Sequence, residues 1–171
     1  MPTVTDRTDG MYAVAFGPPR DATPVKGLPK SWLASASGDR TIKLWDVETG
    51  DCFRTFTGHT GWVYAMTIHP QGHLILSASH DHTARVWDIQ TGECLHVLDH
   101  AAPLWSMAVH PQENLMACSG EDEQITLWDI DSGDQVSTFQ ILKPYAGMRI
   151  TNVTGLSDAQ KSALKALGAL E

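Results

Sequence analysis

Several scarcities narrow what this chain can be. Only three of its 171 residues are cysteine, an odd number that makes no disulfide framework and points to a reducing compartment, the cytoplasm. No apolar run approaches the roughly 20 residues that a membrane helix needs. The opening MPTVTDRTDG has no apolar stretch of the kind that makes a secretory signal. Bases are few: 12 Lys and Arg against 20 Asp and Glu give a formal net charge of −8. From Thr55 to Leu142 there are eleven acids and a single base, Arg85. Nucleic acid and anionic membrane surfaces both demand a basic footprint, and this half of the chain would repel them. Neither is expected as a partner. The chain also lacks the Gly-x-x-x-x-Gly-Lys-Ser/Thr phosphate loop and the Gly-x-Ser-x-Gly turn of a serine nucleophile. No cofactor and no metal is expected. Charged residues make up 19% and hydrophobic ones 42%, a balance that favours a packed core over disorder.

Against these scarcities stand six tryptophans and eight histidines, and the tryptophans are periodic. Leu44-Trp45-Asp46, Val86-Trp87-Asp88 and Leu127-Trp128-Asp129 recur at spacings of 42 and 41 residues. A Gly turn follows each at Gly50, Gly92 and Gly133, and an Asp precedes each Trp by six residues, at Asp39, Asp81 and Asp122. Upstream, the segments 10–18, 62–70 and 103–111 match one another, and Cys52 and Cys94 occupy equivalent sites. A fixed period of this length is the mark of a repeat architecture.

Inside each unit the apolar period is two, so the elements are strands. One face of the first strand carries Tyr12, Val14 and Phe16, then Tyr64, Met66 and Ile68, then Trp105, Met107 and Val109; the other carries small residues such as Ala13, Ala65 and Ala108. Bulky residues on one face and small ones on the other predict strands buried on both sides, between sheets stacked large against small. Four strands fit each unit, near 11–17, 31–37, 41–46 and 52–57; near 62–69, 73–79, 83–88 and 94–98; and near 104–110, 114–119, 124–129 and 135–140. The units are therefore 5–57, with a proline-rich excursion at 18–30, then 58–98 and 99–140. A tail, 141–171, follows, in which Ser157 and Gln160 make a capping box and predict a helix over 158–167.

Gly58-His59, Ser77-Ala78-Ser79, Asp81 and Trp87-Asp88 together resemble a WD repeat of the β-propeller family. The resemblance covers residues 5–140. It implies an all-β fold of three four-stranded WD-repeat blades, an incomplete propeller, with a short C-terminal helix. It also implies a hydrogen-bonded set of His59, Ser77 (or Ser79), Asp81 and Trp87. The outer units depart from the pattern: Arg7 stands at the His position of the first, and Cys118 and Gly120 replace the serines of the third. With fewer internal bonds, the outer units are expected to be looser. The tail from Pro144 resembles the C-terminal end of large bacterial, cyanobacterial-type WD-repeat proteins, many of which carry a signalling module elsewhere.

His59, Ser77 and Asp81 are also the ingredients of a nucleophilic triad, and the histidines at 59, 69, 73, 80, 82, 96 and 100 could include metal ligands. A hydrolase or metal-dependent enzyme on the middle unit is thus the rival reading. Serines alternating along a buried strand and histidines divided between two rims weigh against it. The favoured expectation is a non-catalytic scaffold for protein partners, the sensing portion of a bacterial signalling protein. Its rim would be formed by Trp62, His80, His82, Leu104 and Glu121. Propellers close with typically 4–8 blades, so three units are expected to self-associate, to belong to a larger propeller, or to be a gene fragment with no function of its own.

Overall fold

A computed structural model describes residues 9–19, 25–140, 149 and 157–167. Among them, twelve strands form three antiparallel sheets. The first sheet is β1 (Met11–Phe16), β2 (Trp32–Ser37), β3 (Ile42–Asp46) and β4 (Cys52–Phe56). The second is β5 (Val63–Ile68), β6 (Leu74–Ser79), β7 (Thr83–Asp88) and β8 (Cys94–Asp99). The third is β9 (Leu104–Val109), β10 (Leu115–Gly120), β11 (Gln124–Asp129) and β12 (Gln135–Gln140). In every sheet the strands pair in chain order, as short turns between antiparallel neighbours require. This is the all-β, three-sheet architecture read from the repeat.

Because strand side chains alternate, each sheet offers its neighbour a single set of residues. Ala13 and Ala15 of β1 pair with Ala36 and Ala34, which pair in turn with Ile42 and Leu44 of β3. That small-residue face buries Met66, Ile75 and Trp87 of the second sheet in one cluster. The second sheet repeats the arrangement. Leu74, Leu76, Ala78, Ala84 and Val86 pack on Met116, Cys118 and Trp128 of the third. Large side chains thus enter gaps left by small ones at both interfaces. The first strands of successive sheets adjoin, β1 beside β5 and β5 beside β9.

Burial of the first strands departs from the sequence expectation. Among the described sheets the second has a neighbouring sheet on each face, and the bulky side chains of β1 face outward, with Val14 66% and Phe16 76% exposed. The physical reason is that the alternating pattern is satisfied only where a neighbouring sheet lies on each side. Of the proline-rich excursion, residues 20–24 lie outside the described residues. Its far end turns at Lys26-Gly27 and packs Val25 and Leu28 on the first core cluster. Arg7 also lies outside the described residues.

The segment from Gln140 is a separate compact unit. Its α1 (Asp158–Ala166) is capped by Ser157, whose side chain accepts from the Gln160 backbone while the Gln160 side chain accepts from the Ser157 backbone. Both are first-turn amides that the helix cannot satisfy itself.

Candidate functional site

The middle sheet brings four distant side chains into one chain of hydrogen bonds. The Trp87 indole donates to Ser77 Oγ at 2.9 Å, and Ser77 Oγ lies 2.7 Å from His59 Nε2. His59 Nδ1 lies 2.9 Å from Asp81 Oδ2. An indole can only donate and a carboxylate can only accept, so with a neutral imidazole the hydrogens run one way, Trp87 to Ser77 to His59 to Asp81. Local structure sets this up. Ser77 and Trp87 lie on the face of β6 and β7 that meets the first sheet, and Asp81 sits in the turn between those strands. Asp81 also accepts from the Thr60 amide at 2.8 Å and the Thr83 hydroxyl at 2.7 Å. Burial opposes ionisation of Asp81, but the bonds from His59 and Thr83 outweigh it and hold the carboxyl well below its ordinary range. Ser79 has a different task, accepting from the Asp81 amide at 3.1 Å. Gly61 passes so close that a Cβ there would lie 2.7 Å from the same amide nitrogen.

The flanking sheets hold partial versions. In the first, the Trp45 indole donates to Ser35 at 2.6 Å, and Asp39 accepts from Thr41. In the third, Cys118 stands where Ser77 stands, and the buried Trp128 indole nitrogen has no partner among the described residues. His100 turns instead to Thr126 at 3.1 Å, leaving its Nδ1 3.6 Å from Asp122. Gly120 takes the place of Ser79 where a Cβ would stand 2.2 Å from the Pro103 carbonyl oxygen. Burial alone pushes the Cys118 thiol up to about 12.

Asp81, His59 and Ser77 lie in the order of carboxylate, imidazole and hydroxyl found in a nucleophilic triad. The chemistry does not follow from the order. Ser77 is fully buried and already accepts from Trp87, so an acyl carbon has no approach to its hydroxyl. Nor do the histidines converge. Among the described residues no cluster of three or more His, Cys, Asp or Glu side chains is placed to hold a metal ion. His69 packs against His73 at 5.3 Å between ring centres, away from the turn that carries His80 and His82. Burial, and secondarily the His73 charge, keeps the His69 imidazole below its ordinary 6.5.

At the rim, Trp62 is 48% exposed yet touches Tyr12, Tyr64 and His80, with ring centres 6.1–6.2 Å apart. His80, His82 and Glu121 are exposed on their turns. Leu104 corrects the sequence reading: it is fully buried in the second core cluster and offers a partner nothing. The exposed residue there is its neighbour Trp105, at 53%. Sequence reasoning placed Tyr12, Tyr64 and Trp105 on an interior face. An aromatic at the same position of all three repeats was the signal that could have marked them.

Three stacked four-stranded sheets, the middle one pinned through Trp87 to its own turn, define propeller blades. The model of the WD domain, G-beta repeat matches residues 22–46, 50–88 and 92–129, more than half of the chain. The chain belongs to the WD-repeat family. It is similar to the nuclear distribution protein PAC1 of Coprinopsis cinerea, 46% identical over 56 residues, which is 33% of this chain and 12% of that protein. It is likewise similar to the Lissencephaly-1 homologs of Dictyostelium discoideum, 47% identical over 45 residues, and Branchiostoma floridae, 47% over 47. Those matches cover 26% and 28% of this chain and 11% and 12% of the relatives. The chain thus spans about a tenth of the length of these curated relatives. None of the three organisms is a bacterium, and they lend no support to the cyanobacterial resemblance of the tail. Among the described residues no helix is long and apolar enough to cross a membrane.

Proposed function

We propose that the chain is a non-catalytic protein-interaction scaffold of the cytoplasm, and that its partner seats on the rim around Trp62, His80 and Glu121. One contrast carries the reading. The side chains with catalytic potential, His59, Ser77 and Asp81, are spent on one another inside the middle blade, whereas the large aromatic Trp62 is half-exposed at the rim. A rigid half-exposed aromatic beside polar neighbours is the usual anchor of a protein interface. His82 belongs to the same rim. Membership of the WD-repeat family supports a scaffold, and the relatives' names describe nuclear distribution proteins and lissencephaly homologs, not enzymes. Placement of the chain as the sensing part of a bacterial signalling protein rests on the tail alone. The outward-facing Val14 and Phe16 support a second role for the first blade, as a seat for another blade supplied by a second copy or a larger propeller.

Panning a random peptide phage library against the full chain tests the reading. Enriched peptides should compete with one another and lose binding to Trp62→Ala. Hydrolysis of an ester or peptide substrate that disappears in Ser77→Ala, with the melting temperature unchanged, would overturn the scaffold in favour of an enzyme.

A further inference from the structure

The inner strands contain a device that neither the repeat nor the buried hydrogen-bond set accounts for. Each of the three pairings of a first strand with its neighbour is irregular at one place. In the first blade Met11 pairs with Ser37 and Ala13 with Ala36, so Tyr12 is the extra residue. In the second, Val63 pairs with Ser79 and Ala65 with Ala78, and Tyr64 is extra. In the third, Leu104 pairs with Gly120 and Ser106 with Ser119, and Trp105 is extra. A β-bulge of this kind re-aims the residue it leaves unpaired and is characteristic of the neighbourhood of functional sites. Here all three re-aimed residues are aromatic. Because β1, β5 and β9 adjoin, the rings converge on one open hollow of about 490 Å³ whose described lining is Tyr12, Tyr64, Trp105, His80 and Glu121.

The lining defines the chemistry of its occupant. Tyr12 and Tyr64 meet edge to face at 5.0 Å, which fixes their orientation. Trp105 is held by its blade and remains half-exposed. Aromatic faces attract cations, and Glu121 contributes a full negative charge to the same wall. From Thr55 to Leu142 the chain has eleven acids and one base, so the surroundings favour a cation too. A flat, weakly hydrated guanidinium stacks on rings and pairs with a carboxylate at once, which an ammonium does less well. An adjoining hollow is lined by Asp9, Arg40, Trp62 and His80. There Arg40 offsets Asp9, whereas the hollow bearing Glu121 has no Lys or Arg in its described lining and is the more receptive to a cation. We propose that the hollow between Tyr12, Tyr64 and Trp105 receives an arginine side chain of a partner peptide, stacked on the rings and paired with Glu121. The inference rests on the rim reading given above and names the residue by which a partner is held.

An N-acetylated, C-amidated pentapeptide Ala-Ala-Arg-Ala-Ala, and the same peptide with neutral citrulline in place of arginine, provide the test. Binding to the full chain is followed through the indole N–H resonances of Trp62 and Trp105. The arginine peptide should produce saturable shifts, and the citrulline peptide should bind at least tenfold more weakly. Glu121→Gln should weaken the arginine peptide severalfold and Trp105→Ala should abolish its binding, whereas Glu93→Gln, an equal charge change on the opposite rim, should leave it unaltered. Equal binding of the two peptides, indifference to Glu121→Gln, or no saturable shift would overturn the proposal. Phage-selected peptides that lack arginine but still depend on Trp62 would overturn this inference alone and leave the rim reading standing. Selected peptides that ignore Trp62 would overturn both.

Discussion

Replacing Ser77 by alanine would leave two buried groups, Nε2 of His59 and Nε1 of Trp87, without the oxygen they share. Each orphaned group costs about 1–3 kcal/mol, so the variant should lose about 2–6 kcal/mol. For a chain of this size, at about 2–4 °C per kcal/mol, that is a fall in melting temperature of about 4–24 °C. Ser79→Ala, which removes one acceptor from the Asp81 amide, should cost about 1 kcal/mol. Thermal unfolding of the two variants side by side checks the order. Asp81 adds a pH signature. Its hydrogen bonds hold the carboxylate below the ordinary 3.8 in the folded chain, so the unfolded chain takes up the proton first as pH falls. The stabilisation is therefore complete at neutral pH, declines below about 4 and is lost across the strongly acid range. Asp81→Asn should flatten that limb of a stability-versus-pH curve while lowering stability at neutral pH. The partners in this chain of bonds could be read from the WD-repeat resemblance, which left Ser77 and Ser79 as alternatives. What separates them is register: Ser77 shares a face with Trp87 and Met66, while Ser79 lies at the end of β6 against the turn.

Among the elements, the third blade is the instructive one, because it keeps Trp128 and His100 but has Cys118 at the acceptor position. The result is a buried indole unpaired among the described residues and a histidine whose Nε2 bonds Thr126 where His59 bonds Ser77. Cys118→Ser should restore the acceptor, stabilise by about 1 kcal/mol and raise the melting temperature by about 2–4 °C. An unchanged or lower melting temperature would show that the indole's loss is already met. Strands and turns were legible because period-two alternation, Trp-Asp endings and Gly turns recur three times over. The bulges were not legible. An extra residue in a strand leaves the composition of both faces nearly unchanged, so the rings of Tyr12, Tyr64 and Trp105 read as interior when in fact they turn toward a shared hollow. Leu104 was misplaced for the same reason, one residue out of register with Trp105.

At the scale of the whole molecule, the two internal interfaces share one rule, small residues of one blade against large ones of the next. The described outer faces carry the two halves of that rule: Val14 and Phe16 project from the first blade, and a hollow of about 300 Å³ on the third is lined by residues including Ala108, Ala117 and Leu127. Such faces are complementary, so copies should associate head to tail. Light scattering should show a mass that rises with concentration, and Phe16→Glu should shift it toward the monomer. A mass that stays monomeric at high concentration would refute this. The proposed function divides along the same lines, with stability assigned to the buried scaffold and recognition to the exposed rim. The most direct test of that division is to measure peptide binding and melting temperature on the same samples of Ser77→Ala and Trp62→Ala, below both transitions. Ser77→Ala should bind as the parent chain does and melt lower, and Trp62→Ala should lose at least tenfold in affinity with the smaller change in melting temperature. The reverse pattern, function lost with Ser77 at unchanged stability and untouched by Trp62, would contradict it.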